Sequence, residues 1–357
     1  MTLPVTPIDP NAIYRTKQLV DNLLERGHFE AVGSTLDAIG VGADRGRMAA
    51  SLNALQMEAQ RLSQAGLPLS PDNPVFRVFQ ADLDDFLRST VVLIDGSAET
   101  LQAVGVQNAA TLTRQLALGS ISDEALRLVG VTWNQPDPDA LVSLIRYVDS
   151  PEWEASLSRY QGYINGIVEQ HFIRDFAMGV NPMRTVDDLV MLMRGRGDKP
   201  PLTVSAAESL TRTLINTAYR DSTALHQVAN ADIIDYVIRI AALDHRTCLS
   251  CIALHGTRLE VGERVDDHRR GRCTSIAVIK GRPRSVESGE SWLNSRPEAD
   301  QEVIMGGANY RAYKDGAVQL QEFVHKGTDP IFGDIVQEQS LKGILGDGAQ
   351  RYYQRNQ

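Results

Sequence analysis

Cysteine and histidine at metal-ligand spacing form the most informative stretch of this chain. All three cysteines of the 357 residues lie between Asp244 and Cys273. Cys248 and Cys251 form a C-x2-C pair, and His268 and Cys273 follow as H-x4-C. Three thiolates and one imidazole make a Cys3His set, which suits closed tetrahedral structural zinc. The spacing therefore predicts a structural zinc site with all four residues as ligands.

Other interpretations of the cysteines stay open. In one alternative, all three thiols are free and buried. In another, Cys248 and Cys251 form a redox-labile pair. A thioredoxin-type site is disfavoured, because the βαβ pattern that such sites need around the pair is missing. His245 and His255 are also close in sequence, but the spacing from Cys251 to His255 is less typical of metal ligands.

A catalytic metal is the second chemical alternative. Nucleases of the treble-clef type combine a C-x2-C knuckle with Asp-His, and Asp267-His268 imitates that pair. Such an enzyme needs another Asn or His ligand on a downstream helix, and the only later histidine is His325, in an unrelated context. A zinc with four protein ligands has no open position for water. We therefore expect no enzymatic activity, and a metal-dependent DNA-processing enzyme using His268 remains the alternative.

Charged residues surround the predicted ligands. Asp244, Arg246 and Arg272 are expected either to hydrogen-bond to a thiolate or to His268, or to occupy ordinary surface positions. Basic residues crowd the same stretch of an otherwise acidic chain and predict a patch facing phosphate or an acidic partner. This patch comprises Arg264, Arg269, Arg270, Arg282 and Arg284. The alternative is a solvated face with nearby counterions, which would be Glu260, Glu263, Asp266 and Asp267.

A strand on each side must position these ligands. Residues from Ile234 to Ile240 alternate in polarity and lead directly to the cysteines, which is typical of a strand. Thr274 to Ile279 is rich in β-branched residues and predicts a partner strand directly after Cys273. We expect a small sheet that holds both ends of the site.

Apolar residues at helical spacing dominate the rest of the chain, so the predicted fold is mainly α, with an α+β C-terminal half around the Cys3His knuckle. The predicted division is an extended arm at 1–10, a helical module at 11–150, a helical and Cys/His core at 151–280, and a helical segment with a loose tail at 281–357. Glycines are expected to separate short helical pieces at Gly96, Gly105, Gly119 and Gly130. The first predicted helix begins at Asp9. Further predicted helices run from Asp44 to Gln64, Asn73 to Thr90, Glu152 to Ala177, Val186 to Met193 and Ser205 to Val228.

Composition limits the partners of the chain. The formal net charge of −9 excludes a protein that coats nucleic acid over its whole surface, although a local basic patch is compatible with it. No apolar run approaches the roughly 20 residues of a membrane-spanning helix, so no membrane partner is expected. Three cysteines cannot form a closed set of disulfides, and the N-terminus has neither a basic patch nor an apolar signal core. These features predict synthesis in a reducing cytoplasm.

The residues around the predicted site resemble a known family. Asp244-x-Arg246-Thr247-Cys248-x2-Cys251-x3-His255-Gly256, followed by His268-x3-Arg272-Cys273, is similar to the signature of the phage Mu F-like minor head proteins, also called phage head morphogenesis proteins. Arg212-Thr213 resembles the helical Arg-Thr pair that precedes this signature. Gly271 departs from the closing Cys-Arg-Cys pattern and favours Cys273 as the ligand. The resemblance covers roughly residues 152–327.

The resemblance implies a function by contacts rather than catalysis. It implies a minor capsid protein of the virion, inside the head and near the portal, that acts in head morphogenesis and DNA packaging. The implied partners are portal or major capsid subunits, together with packaged DNA. Some members carry an ADP-ribosyltransferase domain, but its Arg, Ser-Thr-Ser and Glu-x-Glu set is absent from this sequence. We therefore expect a phage minor head protein made in the host cytoplasm.

Overall fold

Long helices form the N-terminal part of the fold, as the sequence periodicity predicts. The computed structural model describes residues 32–39, 43–118, 122–128, 130, 132–145, 147–195, 201–281 and 286–353. The predicted arm at 1–10 and the predicted helix beginning at Asp9 lie outside these ranges. After a helical segment at 32–39, the first long helices are α1 (Ala43–Gln64) and α2 (Pro74–Leu118).

Helix α2 is one helix of 45 residues, about 68 Å long at about 1.5 Å per residue. The prediction that Gly96 and Gly105 separate short helices is wrong. A glycine costs a helix only about 1 kcal/mol relative to alanine. The buried stripe of α2 continues past Gly96 with Ala98 and Leu101, and past Gly105 with Val106 and Ala109. Each fully buried aliphatic side chain contributes about 1.5–3 kcal/mol, so the packing of this stripe keeps the helix continuous.

Three further long helices complete the helical part. Two short helices, α3 (Asp123–Leu128) and α4 (Pro138–Ile145), lead to α5 (Pro151–Ala177), α6 (Pro182–Arg194) and α7 (Leu202–Val228). Helix α5 begins with a proline that follows its capping residue, Ser150. The cap is formed by Ser150 Oγ, which accepts a hydrogen bond from Trp153 N at 3.2 Å. Helix α6 repeats this arrangement with Asn181 Oδ1 and Met183 N at 2.9 Å. One hydrophobic core joins α1, α2, α5, α6 and α7 and continues across residue 150.

Helix α7 is buried on nearly every side and carries polar residues into the interior. It packs against α2 and against the strand Thr274–Ile279. Its buried hydroxyls donate to carbonyls one turn earlier in the same helix, with Thr213 Oγ1 to Ser209 O at 2.7 Å and Thr223 Oγ1 to Tyr219 O at 2.8 Å. These bonds satisfy the hydroxyls, so a polar helix face can lie in the core.

The predicted pair of strands is confirmed. Strands β1 (Ile234–Ile240) and β3 (Thr274–Ile279) pair antiparallel, with Ile240 opposite Thr274. A short strand β2 (Arg258–Leu259) joins the other edge of β1, so the sheet order is β2-β1-β3. Helix α8 (Leu249–Ala253) lies between β1 and β2. The fold class is therefore mainly α with a small β element around the Cys/His residues, as predicted.

The C-terminal part contains a β-hairpin that the sequence analysis did not predict. Helices α9 (Gly289–Asn294), α10 (Glu298–Met305) and α11 (Gly307–Lys314) precede strands β4 (Val324–Asp329) and β5 (Gly333–Glu338). The expectation of a helical segment is wrong at this hairpin. Asp329 Oδ1 accepts hydrogen bonds from the backbone N–H of Ile331 at 2.8 Å and of Phe332 at 3.1 Å, and Gly333 has a φ of +73°. These features form the tight turn that joins the strands.

The hairpin tip and the last described helix are both anchored by buried side chains. At the hairpin tip, Ile331 is buried in the core of the N-terminal helices, and its carbonyl accepts from Arg159 Nη1 at 3.3 Å. After the hairpin come α12 (Leu341–Leu345) and α13 (Gln350–Tyr353). The predicted loose tail after Gly348 is wrong as far as Tyr353, because Tyr352 is buried.

Candidate metal centre

Two arms of the chain bring the predicted ligands together. In the first arm, Cys248 is the N-cap of α8 and Cys251 follows within its first turn, so one helical turn presents both thiols. In the second arm, His268 lies in a loop and Cys273 directly precedes β3. The pairing of Ile240 with Thr274 joins the two arms at their base. We call residues 268–273 the closing arm. The antiparallel pair β1–β3 therefore sets the distance between the Cys248–Cys251 knuckle and this closing arm.

The ligand atoms lie close enough to share one ion. His268 Nε2 lies 3.2 Å from Cys248 Sγ and 3.3 Å from Cys251 Sγ. A second group of donors, Cys251, Asp267 and Cys273, shares Cys251 with the first. Tetrahedral zinc, with bonds of about 2.3 Å to sulfur and about 2.0–2.1 Å to nitrogen, separates such donors by about 3.5 Å. This cluster of three cysteines and one histidine could therefore hold a metal ion.

The orientation of the His268 ring suits a ligand. Its Nδ1 lies 2.8 Å from the Arg269 carbonyl oxygen, which can only accept, so Nδ1 carries a proton. This assignment aims Nε2 at the two sulfur atoms. A metal-bound histidine commonly donates its other ring N–H to a carbonyl in this way, which holds the ring in place.

Protons occupy the cluster when no metal is bound. A hydrogen bond from the Cys251 thiol, with further help from His268, lowers the pKa of Cys248 to about 4. Its neighbours Cys248 and Cys273, together with burial, raise the pKa of Cys251 well above its usual value. Burial alone would lower the pKa of His268, but the Cys248 thiolate and the Asp267 carboxylate raise it to about 10. A metal that binds here displaces protons from Cys251 and from His268 Nε2.

Asp267 lies beneath the cluster with its side chain fully buried. Its Oδ1 accepts from the backbone N–H of His268 at 2.9 Å, and its Oδ2 accepts from the backbone N–H of Cys273 at 3.0 Å. Two buried arginines face it, with Arg220 Nη1 at 3.6 Å and Arg239 Nη2 at 3.7 Å. Burial alone would raise the pKa of Asp267, but His268 and the two arginines lower it, so the carboxylate is ionised.

The sequence does not predict the role of Asp267 and its two arginines. The expectations for Asp267 are a surface counterion or a residue beside a catalytic histidine, and no role at the site is expected for Arg220 or Arg239. Arg239, the penultimate residue of strand β1, is the one local signal, because a charged residue at a buried strand position needs a partner. Glu338 was also missed, and its Oε2 accepts from Leu249 N at 2.7 Å at the start of α8.

Asp244 and its neighbours order the loop before the knuckle. The Asp244 carboxylate accepts two hydrogen bonds from Arg272, at 2.9 and 2.7 Å, and one from Thr247 Oγ1 at 2.9 Å. Arg246 lies at the surface, with Nη2 at 3.6 Å from Asp244 Oδ2. The partners of the Asp244 carboxylate are therefore these residues instead of a thiolate or His268. The Asp244–Arg272 pair joins the knuckle to the closing arm.

The basic residues of the predicted patch have acidic partners in distant parts of the chain. Arg264 Nε lies 3.3 Å from Asp221 Oδ1, Arg269 Nε lies 3.7 Å from Asp329 Oδ2, and Arg270 Nη2 lies 3.6 Å from Glu208 Oε2. The expected counterions, Glu260, Glu263, Asp266 and Asp267, are not the partners of these three arginines. Arg282 and Arg284 lie outside the described residues.

The remaining histidines near the site have other roles. His255 is buried, and its Nδ1 accepts from Ala241 N at 2.9 Å, which fixes the end of β1. His245 is exposed, and His325 lies on β4. Among the described residues, a separate cluster of His171, Asp175 and Asp188 also has the composition of a metal site.

Hydrogen bonds account for this separate cluster. Arg174 Nη2 donates to His171 Nδ1 at 2.8 Å, so the proton of the neutral ring is on Nε2, which faces Thr185 O at 3.3 Å. Neither ring nitrogen then offers a lone pair to a metal. Arg174 also pairs with the Asp175 carboxylate at 2.7 Å. We assign this cluster a structural role at the contact of α5 with α6.

Two cavities flank the loop that carries His268. One, of about 620 Å³, lies between α7, residues 264–269 and the β4–β5 hairpin. The other, of about 440 Å³, lies between the start of α7, the knuckle and strand β5. His268 and Arg269 line both cavities. The loop therefore separates two openings.

Comparison with known proteins adds no identity to this geometry. No protein-family model, no curated protein and no solved structure matches the chain. Within the described ranges, none of the helices combines the length and the apolar character that crossing a membrane requires.

Proposed function

We propose that the cluster binds one structural zinc ion through Cys248, Cys251, His268 and Cys273. The observation that carries this proposal is the position of His268 Nε2, within 3.3 Å of both knuckle sulfur atoms and oriented by the Arg269 carbonyl. Thiolate and imidazole donors in a four-ligand set favour zinc over the harder cations, which prefer oxygen.

The zinc would stabilise a part of the chain that has little regular structure. Between β1 and β3 the chain forms only the five-residue helix α8 and the two-residue strand β2. Cys251 and Cys273 belong to the same hydrophobic core as Trp292, Leu293 and Phe323. A metal that joins two cysteines of this core would hold the C-terminal part together, as structural zinc does where few elements supply a core.

Zinc content and thermal stability test this proposal. Cys248→Ser and Cys273→Ser should each lose stoichiometric zinc in elemental analysis of the purified protein and should lower the melting temperature. His268→Ala should behave in the same way, whereas His245→Ala, in the exposed histidine beside the site, should keep both zinc and stability. Unchanged metal content and melting temperature in both serine variants would refute the zinc site.

We further propose that the protein is a phage minor head protein that acts by structural contacts near the portal. The contact between distant parts of the resembling motif supports this proposal. Arg270 N donates to Thr213 Oγ1 of the helical Arg-Thr pair at 3.0 Å, and Arg272 pairs with Asp244 of the knuckle. The helical pair and the two halves of the resembling motif thus form one unit around the candidate metal centre. Portal or major capsid subunits are the proposed partners, and packaged DNA is a further one.

Mass spectrometry of purified particles tests this second proposal. The protein should be present in intact heads at low copy number relative to the major capsid protein. Its absence from particles that assemble normally would refute a role as a virion component. Empty heads collected before DNA packaging provide the control for whether DNA is needed to retain it.

A metal-dependent nuclease is the alternative, favoured by the two cavities that reach His268. The larger cavity argues against a nucleic-acid groove, because its lining balances basic against acidic residues. The basic lining residues are Arg220, Arg264, Arg269 and Lys326, and the acidic ones are Glu152, Asp266, Asp267 and Asp334. A surface that neutralises phosphates needs a positive excess. Nicking of plasmid DNA by the wild type, lost in His268→Ala and retained in His245→Ala, would overturn the structural assignment.

A further inference from the structure

We infer that Asp267 is the positioning residue of the metal centre. We also infer that its carboxylate and the guanidinium groups of Arg220 and Arg239 balance the charge of a divalent cation bound by three thiolates. The inference rests on the proposed zinc site, because it concerns the residues that hold and balance its ligands. Asp267 is not a ligand itself in this assignment. It acts through the backbone of His268 and Cys273.

Each oxygen of the Asp267 carboxylate accepts a hydrogen bond from the backbone of the closing arm. One oxygen accepts from the N–H of His268 and the other from the N–H of Cys273, so a single side chain joins both ligand residues of the closing arm. Each oxygen also faces an arginine. Asp267 Oδ1 lies 3.4 Å from Cys251 Sγ and 3.6 Å from His268 Nε2, but the Cys273 thiolate remains the fourth ligand in this assignment, as the spacing along the chain predicts. Loss of such a residue beneath a metal centre commonly weakens metal binding about 10- to 100-fold.

The charges of the buried groups sum to zero when a divalent cation is bound. A divalent cation with three thiolates carries one net negative charge, and the Asp267 carboxylate adds another. The guanidinium groups of Arg220 and Arg239 cancel both, and their side chains are only 5% and 6% exposed. Arg239 also lies 3.9 Å from Cys251 Sγ. Buried charges are tolerated when they are paired, and this set carries no net charge when a divalent cation is bound by the three ionised thiols.

The Asp267 carboxylate fills the space beside Gly271. A Cβ atom on Gly271 would lie 2.2 Å from the carboxyl carbon of Asp267, so position 271 has no room for a side chain. The Gly271 carbonyl is held from the other side by Asn216 Nδ2 at 3.0 Å and Arg220 Nη1 at 3.1 Å, both on α7. Helix α7 therefore holds the closing arm against Asp267.

Cobalt and zinc titrations test the inference in the full-length protein. Asp267→Asn keeps the shape but removes the charge and one acceptor, and it should weaken zinc binding about 10- to 100-fold in competition with a chromophoric chelator. Its Co²⁺ complex should show altered thiolate-to-metal and d–d absorption. Asp266→Asn, the same change at the exposed neighbouring residue, should keep wild-type affinity and spectrum.

A second variant covers the case in which Asp267→Asn does not fold. Gly271 lacks a positive φ, so alanine is allowed by the backbone, and Gly271→Ala displaces Asp267 through the contact alone. It should weaken zinc binding at least about tenfold, whereas Gly166→Ala, in open space on α5, should not. Wild-type affinity and spectra in the folded Asp267 or Gly271 variants would overturn the inference. A wild-type protein that binds no zinc would instead refute the metal centre itself.

Discussion

Two glycines on the same helix should respond in opposite ways to the same substitution. Gly96 and Gly105 both lie inside α2, and neither has a positive φ. A Cβ atom on Gly96 would meet nothing within 4 Å. A Cβ atom on Gly105 would lie 2.4 Å from Ile215 O and 2.9 Å from the Cβ atom of Ala218, both on α7. Only Gly105 therefore lies where two helix backbones come into direct contact.

The magnitudes follow from these distances. Alanine is favoured over glycine inside a helix by about 1 kcal/mol, so Gly96→Ala should stabilise the protein by about 0.5–1 kcal/mol. Gly105→Ala gains the same propensity but must separate α2 from α7 to relieve the contact with a backbone oxygen. Overpacking of this kind costs about 1–3 kcal/mol. Because the overlap is with backbone atoms that cannot rotate away, we expect the upper part of this range and a net loss of about 1–2 kcal/mol.

Urea denaturation followed by far-UV circular dichroism measures both effects. The midpoint should rise for Gly96→Ala and fall for Gly105→Ala, with a similar slope of the transition in each case. Each variant serves as the control for the helix propensity of the other. A Gly105→Ala protein as stable as Gly96→Ala would refute the close approach of α2 and α7 at this residue.

Three further predictions concern the C-terminal part. Ile331→Ala should lower the free energy of unfolding by about 2–5 kcal/mol, because Ile331 is only 1% exposed, whereas Val303→Ala, at a position 73% exposed, should have little effect in the same urea titration. Asp244→Asn should lower the melting temperature at neutral pH. Burial alone would raise the pKa of Asp244, but hydrogen bonds from Arg272 and Thr247 lower it, so the carboxylate stabilises the fold above its unfolded pKa of about 3.9. The difference from wild type should shrink as the pH falls below that value, and a constant difference would contradict the ion pair. EDTA should lower the melting temperature of the wild type but not of Cys248→Ser, and equal shifts would contradict a specific metal effect.

Local sequence patterns were sufficient for several helices and for the strands that flank the site. Helices α5 and α7 and strands β1 and β3 follow from the repeat of apolar residues over a few turns or pairs. The grouping of Cys248, Cys251, His268 and Cys273 also follows from spacing, because short ligand loops are visible along the chain. The strand pairing then brings the two halves of this set together.

Only the tertiary structure decided where helices continue and which charges pair. Helix α2 continues past Gly105 because α7 fills the space beside it, and no residue near Gly105 in the sequence indicates this neighbour. The hairpin β4–β5 depends on a turn at Asp329 and on burial of Ile331 in a core formed by residues far away in sequence.

The candidate site shows the same division. The chain sequence by itself determined the types and the spacing of the candidate ligands, because protein-bound zinc takes thiolate, imidazole or carboxylate donors in any fold. The tertiary structure determined that Asp267 is buried between Arg220 of α7 and Arg239 of β1, and that the arginines beside the site pair with distant acids. Charge pairing acts through space, and it leaves no periodic signal along the chain when the partners lie on different elements.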